Sequence, residues 1–388
     1  MKNILFSLFL CPSLLFGQTI TLSDLSEISV ITCGPGQDEL YAAFGHSAFR
    51  VHDRDNGIDY LYNYGVFDFD QPNFYLNFAR GFLNYKIARM DYPPFRDHYI
   101  YYNRSVTEQV LNLSTEDKQK LFDFLEWNNQ PENQYYLYDY FYDNCATRIR
   151  DALKTVFKER INFDGSYITT DKTIRNLTDD YLGQQPWGDL GIDICLGMPM
   201  DKKATPYMYM FLPDYVKSGL DHANLQGPAT VVPMVKQTIV TYEAKDLPLP
   251  KTWATPTTVF WSIFLLTALF TILDFRRKRY TKAIDLAWFS ITGLFGCFLL
   301  ALWLATDHRA AAWNLNLLWA FPFHLAAVVL LLKKPGKILT GYLKFSLVLS
   351  GLVVVSWFFL PQLMHYSLFP LALLSLVRSY TAYRWYSR

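Results

Sequence analysis

The chain lacks the marks of several common chemistries. No HExxH or CxxC pattern occurs, so hydrolysis at a metal would have to rest on the scattered histidines His46, His52 and His222 as zinc ligands. No Gly-x-Ser-x-Gly elbow surrounds Ser47, which leaves that serine weak as a nucleophile. A basic stripe is missing outside the flanks of the apolar segments, and the formal net charge is only +1. Nucleic acid is therefore not an expected partner, because phosphate binding needs such a stripe. Internal repeats and low-complexity tracts are also absent. Cysteine is scarce, with five in 388 residues.

Composition divides the chain near residue 250. Residues 1–17 carry Lys2, an apolar stretch from Ile4 to Phe16 and a small residue, Gly17, before Gln18. This is the pattern of a cleaved secretory signal peptide. Cys11 lies in the apolar stretch without the small residue before it that a lipidation site needs. Residues 18–250 mix charge, tyrosine and turn residues as a globular domain does, and Pro248 to Pro256 reads as a linker. Residues 251–388 hold five apolar segments, at about 257–273, 283–305, 312–332, 341–360 and 367–382. The middle three approach the ~20 residues that cross a bilayer as helix.

Arg276, Arg277, Lys278, Arg279 and Lys282 follow the first segment, Lys333, Lys334 and Lys337 the third, and Arg378, Arg384 and Arg388 lie at the end. The positive-inside rule puts these connections in the cytoplasm. Five crossings then leave the first domain outside, in agreement with the leader peptide. The expected location is a multi-pass protein of the inner membrane with its globular domain facing the periplasm. His308 and His365 fall at outer ends of segments and need no special role there. His324, with Asn314 and Asn316, could line a polar path.

Within the first domain, Glu27 to Thr32 reads as a strand leading into the breaker cluster Gly34-Pro35-Gly36. His46 to His52 alternate as a strand, with His46, Ala48, Arg50 and His52 on one face. Asp53-Arg54-Asp55-Asn56-Gly57 is a turn, and Tyr60 to Phe67 returns as the partner strand. Phe74, Tyr75, Phe78, Phe82 and Tyr85 have largely helical spacing. That spacing fits a buried helix face, or an aromatic wall for an acyl chain. Val106 to Leu113 reads as a strand, Ser114 caps a helix from Lys118 to Asn128, and Asp143-Asn144 opens a helix from Cys145 to about Val156.

A cysteine at the first turn of a helix gains from the unpaired N–H groups there, which favour the thiolate. A histidine on a neighbouring strand can take its proton. Cys145 and His46 fit these roles. Asn63 or Asp59 on the partner strand could orient the imidazole, and parity favours Asn63. The mature exported part retains Cys33, Cys145 and Cys195, with Cys297 in an apolar segment. Either Cys33 and Cys195 form a disulfide that leaves Cys145 free, or all three are unpaired.

The segments Thr32-Cys33-Gly34-Pro35-Gly36 to Glu39-Leu40-Tyr41, Phe44-Gly45-His46-Ser47-Ala48-Phe49-Arg50-Val51, Tyr62-Asn63-Tyr64-Gly65 and Tyr142-Asp143-Asn144-Cys145-Ala146-Thr147-Arg148-Ile149-Arg150-Asp151 resemble the DUF4105 family, which includes bacterial lipoprotein N-acyltransferases. The resemblance covers roughly residues 25–220, and the five-span tail is similar to the Bacteroidetes version of the architecture. It implies an α+β, permuted papain-like (NlpC/P60-like) domain followed by a helical membrane domain. The implied reaction moves an acyl chain from a membrane phospholipid, through a thioester on Cys145, to the N-terminal amine of a diacylglyceryl-cysteine lipoprotein. No cofactor is implied. His46 and Cys145 stand at the family's catalytic positions, whereas the third residue is not carried over. The same pair with water as acceptor would make a membrane-tethered peptidase or amidase acting on peptidoglycan or exported protein. A binding or assembly protein with a degenerate site would instead hold Cys145 and His46 apart.

Overall fold

The computed structural model describes residues 20–227, 230–246, 252–333 and 336–388. The expected leader peptide, with Cys11, lies outside the described residues, as does much of the expected linker.

Three strands set the frame: β1 (Glu27–Cys33), β2 (His46–Asp53) and β3 (Ile58–Val66). They form an antiparallel meander in which Val51 pairs with Ile28 on one side and Tyr60 on the other. The expected turn at Asp53 to Gly57 joins β2 to β3, and Asp53 accepts the N–H groups of Asp55 and Asn56. The alternation of β2 divides the faces of the sheet. Phe49 and Val51 enter one core, while Ala48 joins Ile31, Cys33 and Leu61 in another.

The aromatic run after β3 does not form a buried helix. It gives a two-turn helix, α1 (Phe74–Arg80), with no buried residue, then strand β4 (Asn84–Asp91). Gly81, at φ 83°, ends the helix in the left-handed conformation that glycine adopts without steric cost. Next, α2 (Tyr92–Tyr101) crosses the face that carries Ala48, and β5 (Val106–Leu111) returns beside β1. Helix α3 (Thr115–Asn128) starts at Ser114, whose hydroxyl accepts the Asp117 N–H at 3.1 Å as the sequence predicts. Strand β6 (Tyr135–Leu137) pairs with β4, and α4 (Cys145–Phe157) packs on the Phe49 face.

The rest of the domain is β7 (Ile161–Phe163), α5 (Ile174–Leu182), α6 (Pro186–Cys195), α7 (Pro206–Tyr209), α8 (Pro213–Asp221), β8 (Ala223–Gln226), β9 (Val231–Pro233) and β10 (Val235–Tyr242). The large sheet runs β10-β5-β1-β2-β3-β4-β6, and β7-β8-β9 form a small one. Strand directions give this sheet two unlike ends. β1, β3, β6 and β10 finish, and β2, β4, β5 and α4 begin, at the same end. Cys145 and His46 lie there, and from there the chain leaves for the membrane half.

That half comprises α9 (Pro256–Arg276), α10 (Lys282–Ala305), α11 (His324–Leu332), α12 (Lys337–Ser356) and α13 (Phe369–Tyr386). Three helical stretches among the described residues are long and apolar enough to cross a bilayer: Pro256–Arg276, Lys282–Ala305 and Lys337–Phe359. The third expected segment is not one helix. Asn314 accepts the Asn316 N–H, a short tight turn follows, and Pro322 interrupts the run, so that α11 has only nine residues. At 1.5 Å per residue it spans about 14 Å, half of a hydrocarbon core.

A polar joint ties the two halves. Gly197 donates to the Ala310 carbonyl at 2.7 Å, and a Cβ on it would come within 1.8 Å of the Ala312 oxygen. The side-chain amides of Asn314 and Asn316 donate to the Ile194 carbonyl, at 2.9 and 3.2 Å. Buried Arg175 binds Asp193 and Asp201, and Asp201 also accepts the Leu363 N–H at 2.9 Å. His365 pairs with Asp189 at 3.3 Å. The polar path imagined through His324 is not formed: that ring bonds the Tyr342 hydroxyl at 2.9 Å, while the two asparagines serve the joint.

Arg378 also departs from expectation. It is not a basic flank but is fully buried, with a two-pronged contact to Asp285 at 2.7 and 2.8 Å and a bond to the Thr271 hydroxyl. This clamps α9, α10 and α13 together. Removing one partner leaves an uncompensated charge, which costs about 3–5 kcal/mol. Asp285→Ala is expected to lower the midpoint of thermal unfolding in detergent sharply, and Asp285→Ala with Arg378→Leu should recover much of the loss.

Candidate active site

The start of α4 is built by Asn144. Its Oδ1 accepts the N–H groups of Ala146 and Thr147, both at 2.9 Å, and the Thr147 hydroxyl accepts the Asn144 N–H at 2.7 Å. This reciprocal capping box fixes the first turn. The Asn144 amide donates to the carbonyls of Tyr140 and Phe211, each at 2.8 Å. Cys145 is thereby held at the sheet end, buried. The N–H groups of Ala146 and Thr147 are occupied by the cap, whereas among the described residues that of Cys145 has no protein acceptor.

His46 opens β2, and Nε2 of its ring lies 2.6 Å from Oδ1 of Asn63. An amide oxygen only accepts, so Nε2 carries the proton and Nδ1 is left for the sulfur. Asn63 shares the sheet face of His46, as its parity predicts, and its backbone pairs with Ala88 in β4. Just beyond, the β3–β4 ladder slips between Asn63 and Val66. Gly65, at φ 86°, absorbs this bulge. A Cβ there would stand 3.3 Å from Tyr138 and 3.8 Å from the Cys145 Cβ, so glycine keeps the floor under the thiol open.

Burial by itself would push the Cys145 thiol up. The His46 charge, a hydrogen bond with its ring, and the N–H groups of Ser47 and Ala146 outweigh burial and bring the thiol below its ordinary range. For His46, burial works downward, but the Cys145 charge and the bonds to Cys145 and Asn63 carry the imidazole above its usual value. Each group thus favours the charged form of the other. Phe95 and Tyr99 of α2 roof the imidazole, with ring centroids at 6.1 and 6.4 Å.

Several other expected residues are placed elsewhere. Asp59 is held by Arg50 at 2.7 and 3.0 Å and does not serve His46. His52 lies at the far end of β2 opposite Asp59, and His222 bonds the Ser218 carbonyl at 2.9 Å. Among the described residues no group of three His, Cys, Asp or Glu side chains is arranged to hold a metal ion. Ser47 is fully buried. No disulfide joins Cys33 to Cys195, and Cys33, Cys145, Cys195 and Cys297 are all free. Cys33 instead pairs across the sheet with His46, where burial first and the nearby Cys145 second push its thiol up. The sequence reading placed Asn144 at the helix start but missed its reciprocal bond with Thr147, the roof from α2 and the tyrosines Tyr136 and Tyr138. The roof and the tyrosines had no local signal.

The fold and this site define a membrane protein whose α+β domain presents a cysteine, a histidine and an asparagine at its membrane end. Two family models match the chain, one described as the Lnb N-terminal periplasmic domain, over residues 17–180, and one as the Lnb transmembrane domain, over residues 249–388. The chain belongs to the Lnb family, with a periplasmic domain and a transmembrane domain. Membership suggests a lipoprotein N-acyltransferase-like role. Searches of curated proteins and of solved structures return no match.

The pair predicts a measurable titration. The thiolate absorbance of the wild-type chain, taken as a difference from Cys145→Ser, should appear below the ordinary thiol range near 8.5. His46→Ala should move it upward, since the opposing charge is lost while burial stays. A wild-type titration at or above the ordinary range would contradict the pairing.

Proposed function

We propose that this protein is a lipoprotein N-acyltransferase that works through a thioester on Cys145. The observation that carries the reading is the convergence of Cys145, His46 and Asn63 at the sheet end joined to the membrane domain. In the proposed cycle the Cys145 thiolate attacks an ester carbonyl of a phospholipid. The tetrahedral intermediate collapses, the C–O bond breaks, and His46 gives its proton to the departing lysophospholipid oxygen. The amine of a diacylglyceryl-cysteine lipoprotein then attacks the thioester carbonyl, His46 accepts its proton, and the thiolate leaves.

Asn63 acts in this scheme as a positioning residue that holds the Nε2 proton and directs Nδ1 to the sulfur. The N–H of Cys145 suits the developing oxyanion, since those of Ala146 and Thr147 serve the cap and that of Ser47 faces the sulfur. The His-before-Cys order, with the cysteine at a helix start and the histidine on a strand, fits a permuted papain-like arrangement. Five crossings of the inner membrane, with the site outside, fit the charge pattern. In that reading α11 with the segment before it makes one crossing and α13 another. The aromatic surroundings of the thiol, Tyr99, Tyr136 and Tyr138, favour a lipid donor over the peptide of a thiol peptidase.

Mass spectrometry of the N-terminal peptide of a lipoprotein tests the proposal in cells without another N-acyltransferase. The N-linked acyl chain should be present with the intact chain and lost with Cys145→Ala, whereas acylation that survives the substitution overturns it. Asn63→Ala should lower the acylation rate roughly ten- to hundredfold, in line with about 1.5–3 kcal/mol for a hydrogen bond to a charged group. A larger share of that loss should fall on kcat than on KM.

A further inference from the structure

Helix α1 is exposed and apolar where soluble domains hide such residues. Tyr75 is 80% exposed and Leu76 57%, and Phe69 in the loop before the helix is 65% exposed. The helix has no acidic residue in its first turn; in the loop before it Asp68 is bound by Lys86 and the Tyr135 hydroxyl, while Asp70 is exposed. A patch of this kind marks a binding surface. Its position names the occupant. The Arg80 carbonyl accepts the Asp307 N–H at 2.8 Å, and Gly81 lies against the backbone of Asp307 and His308. Asp307 stands two residues past the end of α10, a membrane-length helix. The aromatic helix is thus pinned to the rim of the membrane domain, at the level where aromatic side chains settle between lipid headgroups and acyl chains.

From there a row of rings leads inward to the thiol. Phe74 touches Phe69, with centroids 4.8 Å apart, Phe69 stacks near Phe67 at 5.9 Å, Phe67 meets Tyr85 at 4.6 Å, and Tyr85 meets Tyr138 at 4.6 Å. Tyr138 stands over Gly65 beside Cys145. A small open crevice lies between Tyr138 to Phe141 and the Asp307 to Ala310 connection.

We propose that α1 and the loop before it form a docking wall for a phospholipid acyl chain, with the helix set in the outer leaflet and the rings of Phe69, Phe67 and Tyr138, backed by buried Tyr85, guiding the chain toward Cys145. The inference rests on the acyltransferase reading and adds to it the route by which the donor leaves the bilayer. Phe69 and Phe67 offer an acyl chain exposed ring surface, and buried Tyr85 packs behind them against Tyr138, whereas the joint on the other side of the interface is polar.

The test uses the full chain carrying Cys145→Ala, so that no turnover occurs, in nanodiscs of phosphatidylethanolamine and phosphatidylglycerol. The probe is a phosphatidylethanolamine with a photoreactive diazirine midway along one acyl chain. After irradiation, peptide mass spectrometry is expected to find label on residues 67–82 in addition to the membrane helices. Phe69→Ser with Phe78→Ser, both at exposed positions, should reduce that label roughly tenfold through lost apolar contact and leave the label on α9 unchanged. Label confined to the membrane helices overturns the wall. The crosslink needs no chemistry at Cys145. A labelled wall in a protein that acylates no lipoprotein would therefore remove the acyltransferase reading alone, and an unlabelled wall in an active enzyme would remove the wall alone.

Discussion

One side chain, Asn144, makes the beginning of α4 possible at the place where it occurs. A helix start buried in a protein leaves N–H groups without partners, and each such group is costly away from water. Asn144 answers for two of them with its oxygen and uses its amide to grip the Tyr140 and Phe211 carbonyls. The cap therefore ties the helix to the tyrosine-rich loop before it and to the segment ahead of α8. Cys145 inherits its position from that grip. Its sulfur can then meet an imidazole that reaches it from a different element.

The second determinant is the direction of the strands. An antiparallel sheet has two ends, and hairpin connections distribute the chain between them. Here the end that holds Cys145 is also the end at which α1 meets the connection after α10, and at which β10 departs toward α9. The opposite end carries the Asp53 to Gly57 turn and the start of α3, with Glu116, Lys120 and Asp123 on its surface. The domain thus has a polar end and an aromatic end, and the aromatic one is the end joined to the transmembrane domain. The Gly197, Asn314 and Gln362 hydrogen bonds then hold it in that attitude.

Much of this was readable in advance where short-range rules apply. The β2–β3 hairpin, the capped α3 and the helix at Cys145 follow from alternation, turn residues and caps, all of which act within a few residues. Asn63 was legible as the partner of His46 because side-chain parity in a hairpin is a period of two. The aromatic stretch after β3 misled, since rings at helical spacing look the same whether they face a protein core or a membrane. Arg378 misled for a related reason. A basic residue near a helix end reads as a flank, and only the presence of Asp285, 93 positions away, makes it a buried clamp.

The sequence by itself determined the β2–β3 hairpin and the capped α3, that a membrane half follows a globular half, and which cysteine begins a helix, because those properties depend on neighbours along the chain. Tertiary structure alone decided that Cys33 faces His46 rather than bonding Cys195, that α2 roofs the imidazole, and that the row of rings from Phe69 to Tyr138 points at the thiol. Those are relations between residues tens of positions apart. Burial, shared hydrogen bonds and the register of several strands set them together, and no local pattern carries that information.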